Sequence, residues 1–324
     1  ALTVDEKGGI YVFDGHVPAL RYYSAEGEYL RKLGRQGSGP GEYEDACLGL
    51  AIDSEGRILM RDPRNGRINR YSASGEAAGG WPVASGLFTS DATILDDRDH
   101  LFLRILTGPI ERNEPWPIGL LHLDDTGAIV DTLIPPAFPD EPGGSGIFMP
   151  SKVWTYSPRG YFVVGINDRY AVDLRPREGE VTRIVRVTDP TPVLPEERSE
   201  WQAYYDWMIE NRGDSFTLDE VSVPDVKPFF SGFLIAGDGR IWVERYGVAE
   251  KIEDPPASDD GRPTISWRAP ARFDVFEADG RFLGTVRMPA RTRIEFARGN
   301  YVWGIASGEF DEPYVVRGRL DFGA

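Results

Sequence analysis

Apolar and polar residues alternate along most of this chain in short runs, and glycine-containing turns separate the runs. Val4–Asp14 reads VDEKGGIYVFD, Ile52–Asp62 reads IDSEGRILMRD, and Ile235–Glu244 reads IAGDGRIWVE. Each is an apolar strand, a turn containing Gly, and an alternating strand, the pattern of a half-buried hairpin. A second phrase follows most copies: Ala19–Gly34 (ALRYYSAEGEYLRKLG), Ile68–Gly80 (INRYSASGEAAGG) and Ala271–Val286 (ARFDVFEADGRFLGTV). Two hairpins in series predict a four-stranded antiparallel sheet, and a chain that repeats such sheets predicts a β-propeller.

The glycines of the second hairpin measure the period. Gly27, Gly75, Gly127 and Gly179 are spaced by 48, 52 and 52 residues, and the next copy, Gly280, comes 101 residues later. Only one first hairpin, around Asp238–Gly239, lies in that last interval, so it holds one blade and a long insertion. The expectation is an all-β, six-bladed propeller forming a single domain over residues 1–324. One helical insertion, residues 188–229, falls between blades four and five. Blade six, Thr292–Leu320, shows three strands, and a segment preceding Ala1 is expected to supply the fourth and close the sheet edge.

The helix is predicted near 195–213. Trp201, Tyr204, Tyr205, Met208 and Ile209 recur at i, i+3, i+4, i+7 and i+8. Pro195 and the acids after it suit a helix start, and Gly213 suits its stop. The stripe either packs on the propeller wall or binds a partner.

Turn lengths sort by position. Turns between strands one and two, or three and four, are tight: Asp5–Gly9, Ser54–Gly56, Asp97–Asp99, Gly237–Gly239, Ala278–Gly280. The other connections are long: Gly34–Ala46, Leu106–Trp116, Ala137–Pro150, Thr188–Pro228, Tyr246–Pro270. In a propeller these two classes lie on opposite faces, so the long loops mark the expected binding face. Trp116, Phe148, Trp201, Tyr205 and Trp267 are the aromatic residues expected to meet a partner there.

Composition narrows the partner. The net charge is −16 and the isoelectric point near 4.7, which disfavours nucleic acid and anionic lipid. A protein with a basic patch fits better. The single cysteine, Cys47, forms no internal disulfide and reads as a small core residue. No apolar run approaches a membrane span, and no signal peptide is visible. Because Ala1–Val4 already reads as a strand, a preceding signal, lipid anchor or membrane helix is expected.

The run LGRQGSGPGEY (Leu33–Tyr43), with GIYVFD before it and DGRIWV later, resembles bacterial six-bladed propellers of the NHL/TolB-like kind, and the resemblance extends over nearly the whole chain. It implies the fold and extracytoplasmic export, and carries over no catalytic residues. The glycines of Gly34–Gly41 lack the Gly-Lys-Ser/Thr and following helix of a phosphate loop.

Two functions follow. The first is a non-enzymatic binding or scaffold protein without cofactors: a periplasmic or extracellular accessory subunit that binds a protein, such as a component of a membrane or envelope complex, through the long-loop face. The second is a metal-dependent lactonase-like hydrolase. Gluconolactonase-type propellers hold a divalent metal in the central channel with Glu, Asn and Asp. Asp14, Asp62, Asn65, Asn167, Asp168 and Glu309 are the candidates here for Ca²⁺ or another divalent ion. Acids at strand ends also form turns with their own backbone. A third possibility is a sugar or peptide bound without catalysis. His16, His100 and His122 fall in separate repeats, which argues against a zinc site. No G-x-S-x-G motif is present, and Asp96–His100 (DDRDH) reads as a solvated turn.

Overall fold

The computed structural model describes residues 1–45, 47, 49–83, 93–111, 116–142, 146–212, 221–253, 255, 260–308 and 310–322. Of the positions singled out above, Ala46, Gly213 and Glu309 lie outside the described residues.

Six antiparallel sheets follow one another along the chain, five of four strands and one of three, and they constitute a six-bladed β-propeller. The first sheet comprises Leu2–Val4, Ile10–Asp14, Ala19–Tyr23 and Tyr29–Leu33, and the second Gly49–Ile52, Ile58–Asp62, Arg67–Tyr71 and Ala77–Pro82. The third comprises Ile94–Leu95, Leu101–Leu106, Ile118–Leu123 and Ile129–Leu133, and the fourth Lys152–Ser157, Tyr161–Ile166, Ala171–Pro176 and Thr182–Val185. The fifth comprises Gly232–Ile235, Ile241–Arg245, Arg272–Phe276 and Phe282–Arg287, and the sixth Thr292–Arg298, Tyr301–Ser307 and Pro313–Arg319. Within each sheet, strands pair in chain order.

The tight turns share one chemistry. In Asp5–Gly9 the Gly8 N–H donates to the Asp5 carbonyl, and the Asp5 carboxylate accepts from the N–H groups of Lys7 and Gly9. Asp53, Asp96 and Asp124 repeat the carboxylate pattern at the same place in their turns. An acid followed by a left-handed residue three positions later is therefore what the repeated phrase encodes. In the first hairpin of the third sheet that residue is Asp99 instead of glycine, with φ 62°. Its carboxylate accepts from the Ser54 N–H and hydroxyl, which ties this turn to the corresponding turn of the second sheet.

Two compact units are distinguished by their internal contacts. The first comprises Ala1–Pro109, Trp116–Pro135 and Ser157–Gly160; the second comprises Ile110–Pro115, Pro136–Tyr156 and Tyr161–Ala324. In the first, Leu20, Leu33, Tyr43, Ile58, Met60 and Tyr71 form the core between sheets one and two. Leu59, Ile68, Trp81, Leu101 and Leu103 form the core between sheets two and three. The glycine-rich run after Leu33 is part of this packing. A side chain at Gly37 would collide with the Glu42 carboxylate, and one at Gly41 with Ala77. The loop carbonyls accept from Asn65, Arg67, Asn69 and Tyr71 of the second sheet.

In the second unit, Val163, Tyr170, Val172, Ile184, Ile241, Val243 and Phe276 fill the space between sheets four and five. Trp242, Phe273, Val275, Ala297 and Val302 fill that between five and six. The one α-helix among the described residues, Pro195–Arg212, follows strand Thr182–Val185 and precedes strand Gly232–Ile235. Glu197 reaches back to accept from the Leu194 N–H, the reciprocal half of a capping box.

Candidate functional site

The helix docks on other insertions of the second unit. Tyr205 is buried with Phe148, Val193, Val221 and Val223, and Trp201, Tyr204 and Tyr246 pack around them. The Tyr205 hydroxyl accepts from the Ile147 N–H at 2.7 Å. The Glu200 carboxylate accepts from both the N–H and the hydroxyl of Ser266. Lys227 is almost fully buried; its ammonium pairs with Glu197 at 2.7 Å, donates to the Gly247 carbonyl and lies over the Phe148 ring. The loops around 146–150, 188–194 and 221–228, with Tyr246, Gly247 and Ser266, thus form one layer with a small core of its own.

This placement revises the candidate partner surface. Phe148 and Tyr205 are buried, because the layer needs them as its core, and they are withdrawn from any face open to a partner. Trp201 and Trp267 are half-buried; Trp267 stands on the strand pair Glu250–Lys251 and Trp267–Arg268 with the Lys251 ammonium over its ring. Trp116, on the first unit, is 57% exposed.

The candidate metal ligands are committed locally. The Asp14 carboxylate accepts from the N–H groups of His16 and Val17 and pairs with Arg21. The sum of these contacts outweighs burial and holds its carboxyl below the usual range. Asp62 is buried and accepts from the Asn65 N–H and from the amides of Asn65 and Asn69. The Asn167 side chain accepts from the Ser151 N–H and donates to the Phe230 carbonyl. Asp168 is exposed beside Arg169. Asp14, Asp62 and Asn167 thus serve turns and strand ends, and no group of three or more His, Cys, Asp or Glu suited to a metal occurs among the described residues. Cys47 donates to the Gly49 carbonyl, and burial pushes its thiol up to about 11.

The histidines are placed differently from the sequence reading. His100 and His122 belong to the same sheet, the third, and touch. His122 Nε2 lies 2.9 Å from His100 Nδ1, and His122 Nδ1 lies 2.8 Å from the Asp131 carboxylate. When Nδ1–H donates to Asp131, Nε2 accepts the His100 Nδ1–H. Phe102 stacks on the His122 ring.

At the end of the fifth sheet that carries the 246–271 connection stands a row of arginines. Arg245 is directly opposite Arg272, and Arg272 is directly opposite Arg287, so the three share one face. One step along the same face is Asp274, fully buried. It accepts from the Tyr170 and Thr285 hydroxyls and pairs with Arg186 at 2.9 Å and Arg245 at 3.5 Å. Arg245 also donates to the Thr188 hydroxyl. Burial, with the neighbouring Arg245 charge, holds the Arg272 guanidinium below its usual range. Beside Arg186, whose guanidinium stacks on Phe282, a groove of about 330 Å³ runs between Ile184, Phe276 and Phe282.

No protein-family model matches the chain, and no characterised protein matches it in sequence. Its backbone is similar to solved propellers. A member of the DUF4221 family from Bacteroides vulgatus superposes with a TM-score of 0.55 at 13% identity, covering 99% of this chain and 93% of that one. A proposed exported protein from Bacteroides fragilis gives 0.49 at 12%, covering 94% and 78%. Virginiamycin B lyase from Staphylococcus aureus gives 0.44 at 12%, covering 99% and 84%. At such identities the likeness is one of fold.

Proposed function

We propose that the chain is a non-catalytic binding propeller that engages a protein partner through the layer built by its long connections. The observation that carries the reading is the convergence of three separate insertions into one layer with its own core, while the Asp14 and Asp62 carboxylates accept from the backbone of their own turns. Loops packed into a defined surface cost less ordering entropy on binding than free loops do. Trp201 and Trp267 are the aromatic groups of this layer left partly open for contact. The expected setting is an exported or periplasmic accessory subunit of an envelope complex. No helix among the described residues is long and apolar enough to cross a membrane.

Site-specific photo-crosslinking in cells tests this. A crosslinking residue at Trp201 or Trp267 is expected to trap one discrete protein, which the same residue at the tight-turn positions Glu55 and Asp279 does not trap. Binding of that purified protein should then weaken in Trp201→Ala. A partner trapped from the tight turns alone, or lactone hydrolysis that depends on a stoichiometric metal, overturns the proposal.

A further inference from the structure

We infer that Arg245, Arg272 and Arg287, with Arg186 beside them, hold a doubly charged tetrahedral oxyanion, a phosphoryl or sulfuryl group. Like charges directly opposite on neighbouring strands repel. Two of the four guanidinium groups, Arg186 and Arg245, pair with a single carboxylate, Asp274, whose oxygens already accept from two hydroxyls, and Arg272 and Arg287 stand in the same cross-strand row. Among the described residues no acid lies within 4 Å of Arg272 or Arg287, although the chain carries 52 acids against 36 basic residues. The Nε atoms of Arg245 and Arg272 are buried without an acceptor, and Arg245 is only 6% exposed. A guanidinium fork with an unused N–H, held by neighbours of its own sign, is a preorganised anion receptor. Arg287 is exposed and leaves the row open to solvent. The groove beside Arg186 runs toward the tight turn at Asp279 and Gly280, with Arg183 and Asp279 in its lining, and meets the cluster only at Arg186. The inference is independent of the partner reading, since the ligand is a small anion and its test uses no partner.

The test is thermal unfolding and titration calorimetry of the full chain in phosphate, sulfate and chloride at one ionic strength. The wild type is expected to bind phosphate or sulfate with 1:1 stoichiometry and to unfold several degrees higher than in chloride. Arg272→Gln is expected to unfold at a higher temperature than wild type in chloride, because like-charge repulsion is relieved, and to lose the anion-induced shift. Arg287→Gln, at an exposed position, is expected to lose most of that shift and keeps the test available if Arg272→Gln does not fold. Arg319→Gln, the same charge change on the sixth sheet, is expected to keep the shift in full. Tighter binding of an aryl phosphate or aryl sulfate than of the free ion assigns the site to a group carried on a larger molecule, and equal binding assigns it to the free ion. If Arg272→Gln and Arg287→Gln keep the wild-type shift, the stabilisation is the general effect of an excluded salt and the inference fails.

Discussion

Single residues show where this fold bears electrostatic cost. The Glu244 carboxyl is pushed up by burial, with a hydrogen bond from Ser231 offsetting part of the effect. A raised carboxyl binds its proton more tightly folded than unfolded. Its favourable contribution is thus complete below the unfolded value of 4.5 and is lost as pH rises through the folded value. Glu244→Gln is expected to stabilise the chain at neutral pH, because the amide carries no charge to bury. The gain should grow as pH rises from 4.5 and level off once the folded carboxyl has ionised. Urea unfolding across pH measures it, and a gain that ignores pH refutes the assignment. At this scale the sequence was only partly legible. The turn acids could be read, because an Asx turn is local and its glycine lies three residues on. The His100–His122 contact and the arginine row could not. The first joins a turn residue to the neighbouring strand and the second depends on cross-strand register, which across the long 246–271 connection is not written in either strand alone. Phe148 was read as a surface aromatic because a loop sequence does not reveal that another loop covers it, and for Tyr205 the helix stripe left packing and partner contact both open.

Among the elements, the helix carries the most information about how the insertions hold together. Its apolar spacing and Pro195 start could be read directly. Its docking partner could not, since the stripe buries against the loops 146–150 and 221–223 and Tyr246 instead of against a strand. Lys227 is the joint of this layer. It bonds the helix through Glu197 and the following loop through Gly247, and it caps the Phe148 ring. Removing one member of a buried pair leaves the other charge without compensation. Lys227→Met is therefore expected to cost about 3–5 kcal/mol. Adding Glu197→Gln removes the orphaned charge while keeping an acceptor for the Leu194 N–H, and should recover much of that loss. Chemical unfolding followed at the helix band checks both. If the double variant is as unstable as the summed single effects, the pair is not coupled and the layer is held by its apolar core alone.

For the whole molecule, six repeated sheets were legible because the same two-hairpin phrase recurs at about 50-residue spacing. The three strands of the last sheet were equally visible. What the repeat does not settle is whether the two compact units unfold separately, and connectivity provides the argument. The units exchange the chain five times, at residues 109–110, 115–116, 135–136, 156–157 and 160–161. The last two exchanges fall inside the first hairpin of the fourth sheet: Ser157–Gly160 belongs to one unit and the rest of both strands to the other. Independent domains meet at linkers where few contacts cross, and a division through a tight hairpin is not such a place. We therefore propose one cooperative domain. Scanning calorimetry is expected to show a single transition whose calorimetric and van't Hoff enthalpies agree. Intrinsic tryptophan fluorescence should report the same midpoint from both units, since Trp81 lies in the first and Trp242 and Trp303 in the second. Single-tryptophan variants that melt at separate temperatures would show that the hairpin at 157–160 is a seam and that the propeller unfolds in two parts.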